Sequence, residues 1–221
     1  MADFREEYRR REIGPRYSGW GHFAFTTLTC VAVVLFALIR LRSPSWVELA
    51  TVPLAFLLSN LAEYLGHKRA MHVSRPGLRL VYERHTLFHH RFFTHESMSC
   101  ASSRDFQIML FPPVLVIFFF GAIAAPIGAV LFLLFSPNVG WLFVATAVGY
   151  FLTYEWLHFS YHLAPDSAVG RLGIVRILRR HHAAHHDLAK MGRWNFNITF
   201  PLCDALFRTT FREGDVLQTR K

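Results

Sequence analysis

Apolar residues in this chain gather into long, charge-poor runs rather than recurring at amphipathic intervals. The runs are 22–40 (HFAFTTLTCVAVVLFALIR), 45–65 (SWVELATVPLAFLLSNLAEYL), 106–136 and 139–157 (VGWLFVATAVGYFLTYEWL). About 20 apolar residues cross a bilayer core of about 30 Å as a helix. The pattern therefore predicts an all-α, multi-pass fold with about four transmembrane helices. The run 106–136 is longer than one span needs and contains Pro112, Pro113 and Pro126. It reads as one kinked span, with a re-entrant hairpin as the alternative. Trp20, Trp46, Trp141 and Trp156 fall near the expected helix ends, where the membrane interface favours indole rings.

Composition sharpens this picture through its segregation. Of 221 residues 52% are hydrophobic, 22 are Phe, and 24 Lys+Arg against 15 Asp+Glu give a net charge of +9. The charges avoid the apolar runs, which excludes a disordered chain and argues against one soluble core. Residues 1–21 hold five Arg, 66–105 hold seven Lys+Arg and 158–221 hold ten. The short connections near 41–44 and 136–138 hold one Arg and none. The positive-inside rule places the three basic lobes, and both termini, in the cytoplasm. Lipid headgroups and topology account for the charge, so nucleic acid is not an expected partner. The expected organisation is a basic cytosolic segment over 1–21, a membrane domain over 22–212 and a tail over 213–221. The N-terminus is too charged for a cleavable signal peptide, so the first span is expected to remain in the mature protein. The stretch 171–180 (RLGIVRILRR) reads as an interfacial helix. Cys30, Cys100 and Cys203 are scattered without CxxC spacing and suggest neither a disulfide framework nor a thiolate metal site.

The chemistry lies in the histidines. Ten of the 13 form four clusters in the two larger basic lobes: His67 and His72; His85, His89 and His90; His158 and His162; His182, His185 and His186. On a helix, residues four apart differ by about 40° and residues three apart by about 60°. His85 and His89 are thus expected to share a face, as are His158 and His162, and His182, His185 and His186. The neighbour in each HH pair, about 100° further round, is placed to reach a second metal. His67 and His72, five apart, differ by about 140° and serve one centre only if the helix ends or bends between them. Ten imidazoles suit two ions. His22 reads as interfacial, and His95 and His181 as solvent or supporting groups.

Imidazole suits Fe, Zn, Cu and Ni. Zinc would point to hydrolysis, but no Glu stands in an HExxH arrangement to serve it. Iron would permit O2 activation, and a membrane-surface site gives access to acyl chains or sterols. A metal transporter is the non-enzymatic alternative. It would need polar ligands near the bilayer midplane, whereas Glu48, Glu63 and Glu155 lie near span ends. A haem protein would use single histidines on facing spans.

The four boxes H67KRAMH72, H85TLFHH90, H158FSYH162 and H182AAHH186 resemble those of the fatty acid hydroxylase/sterol desaturase superfamily of membrane di-iron enzymes. The resemblance covers roughly 60–212. The segment RRHHAAHHDLAKMGRWNFNITFPLCDALFRTT (179–210) is similar to the tail of the fatty acid 2-hydroxylase branch. Asn197, Cys203 and Arg208 stand where that tail often has Gly, Trp and Gly, which bears on pocket shape and substrate. The resemblance implies four transmembrane helices and a cytosolic helical cap holding two iron ions, for which zinc can substitute in purified protein. It implies O2 as co-substrate and a membrane lipid as substrate, hydroxylated or, as the neighbouring outcome, desaturated. The ligands carried over are His67, His72, His85, His89, His90, His158, His162, His182, His185 and His186, with no catalytic side chain beyond them. Glu63, Glu155, Asp187, Asn195 and Asp204, with Asn197, are candidates to orient ring N–H groups. The fused cytochrome b5 domain and HPGG motif of yeast and vertebrate fatty acid 2-hydroxylases have no counterpart here. The expected electron donor is therefore a separate ferredoxin or cytochrome b5-like protein.

Overall fold

The computed structural model describes residues 2–212; the tail expected over 213–221 lies outside them. Among the described residues all regular structure is helical, apart from an isolated bridge between Thr94 and Ser97. In chain order the helices are α1 (Ala2–Arg11), α2 (Gly19–Ile39), α3 (Trp46–Leu49), α4 (Thr51–Gly66), α5 (Arg79–Tyr82) and α6 (His90–Phe92). They continue with α7 (Phe106–Met109), α8 (Pro113–Phe118), α9 (Ala125–Leu134), α10 (Pro137–Tyr161), α11 (Gly173–His185) and α12 (Leu202–Leu206). Three π-helical segments join neighbours: His67–Met71 after α4, Glu83–His89 between α5 and α6, and Phe119–Ala124 between α8 and α9.

The chain divides into two compact units. One comprises the chain up to Glu12, Asn60–Ala101 and the chain from Leu157; the other comprises Ile13–Ser59 and Ser102–Trp156.

The second unit contains most of the apolar runs. Three helical stretches, Gly19–Ile39, Trp46–Met71 and Pro113–Leu134, are long and apolar enough to cross a bilayer. The expected kinked span over 106–136 is corrected: Leu110 and Pro112 are extended, so α7 stops and a separate helix begins at Pro113. A proline at the first helical position loses no hydrogen bond there, and its fixed φ suits helix initiation. The fourth expected span, 139–157, lies within α10. At 25 residues α10 is long enough, but Tyr150, Thr153, Tyr154 and Glu155 make it less apolar than the other three. It buries Leu142, Phe143, Ala147, Val148 and Leu152 against protein, so lipid does not dictate its composition.

The two short connections meet at one end of this unit. The Asn138 side chain accepts from Arg42 N and donates to Arg42 O, each at 3.0 Å, and also donates to Glu48 Oε2 at 3.2 Å. Glu48 is held by a capping box with Ser45 and by the Ser136 hydroxyl. Gly128 and Gly140 let α9 and α10 touch, since a Cβ on Gly140 would lie 2.7 Å from the Gly128 carbonyl oxygen.

The first unit is aromatic at its centre: Phe92, Phe93, Tyr161, Phe196 and Ile198 are almost fully buried. The N-terminal stretch expected as a cytosolic segment is not uniform. Its first part is α1, whose Tyr8 packs against Phe88 and Phe92. α11 buries Val175 and Leu178 and exposes Ile174 and Ile177 beside Arg176 and Arg180.

Candidate metal centre

All ten boxed histidines fall in the first unit, in two groups of five. The first contains His67, His72, His85, His90 and His185; the second contains His89, His158, His162, His182 and His186. In each group one nitrogen per ring lies within 4.8 Å of all the others. The groups adjoin, with His90 stacked on His186 at a centroid separation of 4.3 Å.

The π-helical segments explain the division. A π-helix closes its hydrogen bonds between residues five apart, so such residues stack on successive turns. His67 and His72 are five apart across the segment His67–Met71 and join one group, which resolves the apparent 140° conflict. His85 and His90 do the same, and the His90 amide donates to the His85 carbonyl. The expected pairing of His85 with His89 is therefore corrected: His89 is turned into the other group. The expected common face of His182, His185 and His186 is also corrected. In α11, which is regular α-helix, His182 and His186 keep the four-residue spacing and share a group, while His185 points to the first. Both HH pairs are split between the groups.

Within the first group Nε2 of His67 lies 2.8 Å from that of His85, His85 3.0 Å from His90, and His72 2.9 Å from His185. In the second, the Nε2 separations are 3.1 Å for His89–His158, 3.4 Å for His158–His162, 3.3 Å for His162–His182 and 2.9 Å for His182–His186.

The outward nitrogens decide what these short distances mean. His67 Nδ1 lies on Phe196 O at 2.5 Å, His185 Nδ1 on Trp194 O at 2.7 Å, His162 Nδ1 on Met98 O at 2.8 Å and His186 Nδ1 on Phe93 O at 2.6 Å. A carbonyl only accepts, so each of these Nδ1 atoms carries the proton and each neutral ring presents a bare lone pair at Nε2. His72 reaches the same state through Thr86: that hydroxyl donates to Met71 O at 2.6 Å and is left to accept from His72 Nδ1 at 3.1 Å. The facing Nε2 atoms of His72 and His185 thus hold two lone pairs 2.9 Å apart. Neutral imidazoles arranged so cannot hydrogen-bond; a cation between them satisfies both.

Burial keeps the rings neutral. Each exposes at most 9% of its surface except His72, which is partly covered. Burial, reinforced by neighbouring imidazoles, pushes His72, His85, His90, His162, His182, His185 and His186 below the ordinary imidazole range. Neutral imidazole is the form that ligates metal. Nitrogen-only sets of five therefore fit a borderline transition ion in each group.

The polar residues expected to orient the rings act at one remove. Asp204, fully buried, accepts from the amides of Phe196 (3.0 Å) and Asn197 (2.7 Å) and from Thr209 Oγ1 (2.6 Å). His181 Nε2 lies 3.4 Å from Asp204 Oδ2 without an aligned hydrogen bond. Glu63 accepts from the amides of Ile198 (2.6 Å) and Thr199 (3.1 Å) and from the Thr199 hydroxyl. Asn195, with φ of 58°, donates from Nδ2 to His181 O and accepts from Phe211 N. Asn197 bridges Asn60 O and Cys203 N. These residues hold the loop 194–199, whose carbonyls receive His67 and His185. Asp187 is different: it accepts from Ala189 N and pairs with Lys190 at 2.8 Å, so the role expected for it is not seen. Glu155 belongs to the second unit, where it accepts from Phe111 N at 3.2 Å.

His22 was expected at an interface; it is buried in the second unit, held by Tyr17 Oη and Phe111 O, each at 2.9 Å. His95 lies near Glu96 at 3.9 Å, with half its side chain exposed.

The model of the family described as "Fatty acid hydroxylase" matches residues 52–209. No curated protein matches the sequence. Among solved structures, full-length Scs7p, in which only the hydroxylase domain is visible, superposes with a TM-score of 0.59. The likeness covers 86% of this chain and 67% of that one, at 16% identity, and so bears on the fold.

Proposed function

Because the chain belongs to the fatty acid hydroxylase family, we propose that it hydroxylates an acyl chain or sterol-like membrane lipid, with two iron ions held by its two histidine groups. The observation that carries this reading is the pair of Nε2 lone pairs of His72 and His185, which face each other while both Nδ1 protons are committed elsewhere. Iron supplies what imidazole lacks, the redox capacity to use O2 and two electrons against an unactivated C–H bond. The chain's own residues hold the rings in one tautomer, keep them neutral by burial and exclude water from the nine most covered of them. None of the ten imidazoles brings a negative charge, so positive charge at the centre stays uncompensated by its ligands.

The positive-inside bias of the three basic lobes supports a metal centre and termini on the cytoplasmic side. The exposed pair Ile174 and Ile177, flanked by Arg176 and Arg180, suits a headgroup boundary. Electrons come from a separate ferredoxin or cytochrome b5-like donor.

Anaerobic purification with metal analysis, combined with lipid analysis of an expressing host under 18O2, tests the proposal. About two irons per chain and an 18O-labelled hydroxyl on a host lipid are expected. An unlabelled alkene in place of the hydroxyl would make the chain a desaturase. Loading with zinc alone after iron reconstitution, with no oxidised lipid, would overturn the reading.

A further inference from the structure

Arg5 lies on α1, outside the residues matched by the family model, yet it reaches the loop that orients the second histidine group. Its Nε donates to Phe92 O at 2.6 Å, its Nη2 to Ser97 O at 2.5 Å and its Nη1 to Ser99 O at 3.4 Å. The guanidinium also lies over the rings of Phe92 and Phe93, at 5.0 and 5.4 Å from their centroids. The two carbonyls that receive His186 and His162 are those of Phe93 and Met98. Along 92–99 the acceptors thus alternate: 92 to Arg5, 93 to a ring, 97 to Arg5, 98 to a ring, 99 to Arg5. Phe92 closes α6, Phe93 is extended and Thr94–Ser97 form a bridged turn, so the Arg5 bonds fall on the peptides next to the two ring-facing carbonyls. Fixing these neighbouring peptides fixes the aim of the Phe93 and Met98 carbonyls.

We propose that Arg5 is a positioning residue for the second metal site, its planar fork locking the 92–99 backbone so that the Phe93 and Met98 carbonyls hold His186 and His162 with Nε2 turned inward. This rests on the reading that the two groups bind metal. Arg5 acts by geometry rather than charge, because a cation beside a cationic site is repulsive. A lysine keeps the charge but places its donors on a compact, strongly hydrated ammonium, without the planar fork. Arg5→Lys is therefore expected to behave like Arg5→Ala.

The test uses the full-length protein loaded anaerobically with ferrous iron and titrated with a chelator. The wild type and Arg11→Ala, which removes only a surface ion pair with Glu7, are expected to retain both ions together. Arg5→Ala and Arg5→Lys should release one ion at roughly 10- to 100-fold lower chelator, the range for partners of metal-ligating histidines. Double variants identify the ion. Arg5→Ala should add nothing on a His162→Ala background and should leave the remaining ion of a His162→Ala chain in place, while the remaining ion of a His185→Ala chain should become labile. Wild-type chelator resistance in both Arg5 variants overturns the proposal, and so does simultaneous loss of both ions with the helical signal. A wild type that loads no iron overturns the metal reading itself, which separates the two failures.

Discussion

The carbonyls that orient the first histidine group sit on Trp194 and Phe196, in a loop gathered by carboxylates; those that orient the second sit on Phe93 and Met98, in a loop gathered by a guanidinium. Asp204 and Glu63 collect amide N–H groups along 196–199, which leaves the Phe196 carbonyl free to face a ring. Arg5 collects carbonyls along 92–99, which leaves the alternate carbonyls free to do the same. Each peptide has a donor end and an acceptor end, and the two loops are braced by opposite ends. Opposite charges therefore perform one task, each through backbone groups rather than through the Nε2 of a grouped histidine.

Four measurements would break or sharpen this comparison. The largest effect is expected where a ligand is removed from either group. His89→Ala and His185→Ala should each abolish lipid hydroxylation and lower metal content by about one ion per chain while membrane insertion persists; activity in either variant would undo the two-group assignment. Next is Asp204→Ala, which leaves the buried amides of Phe196 and Asn197 without their acceptor. It should cost about 2 to 5 kcal/mol in thermal or denaturant unfolding and weaken the first group's metal before the second's. Equal weakening of both would mean that the carboxylate brace is not specific to its loop. Thr86→Val removes only the hydroxyl that accepts from His72 Nδ1. Its expected effect is a roughly ten-fold fall in first-group metal affinity, measured by competition with a chelator, with little change in unfolding temperature. The smallest effect belongs to Asp187→Asn, whose partly covered pair with Lys190 is local and lies outside both histidine groups. Stability should change by less than about 0.5 kcal/mol, and metal content should not change.

What depends on residue identity is legible in the sequence. The ten clustered histidines, the helical class and three of the long apolar helices follow from composition and spacing, because an imidazole cluster is visible as residue letters and bilayers need apolar length. What depends on backbone course was hidden. An ideal 100° step put His85 with His89, but the π-helical stretch Glu83–His89 pairs it with His90 instead. Proximity in sequence nominated Asp187, which is spent on Lys190, whereas the groups that touch the rings are carbonyls that any residue could supply. The apolar run 106–136 concealed a break at 110–112, since prolines signal interruption without saying whether a helix bends or ends. His22 looked interfacial from its neighbours, and only the fold supplies Phe111 O and Tyr17 to bury it. The charge pattern of ADFREEYRRR (2–11) gives no hint that one guanidinium, Arg5, is structural while Arg10 and Arg11 face solvent.

The π turns make the site unequally vulnerable to different kinds of genetic change. Each π ring encloses one residue more than an α ring, so the intervals 68–71 and 86–89 store a count as much as a composition. A substitution at Ala70 leaves the count intact. A one-residue deletion there that returns the turn to α register leaves His67 and His72 four apart, about 40° round and still on one face, whereas a one-residue insertion puts them six apart and about 120° off on an α turn. Single insertions in these intervals, rather than single deletions, are the length changes that separate a chain able to assemble both ligand sets from one that cannot.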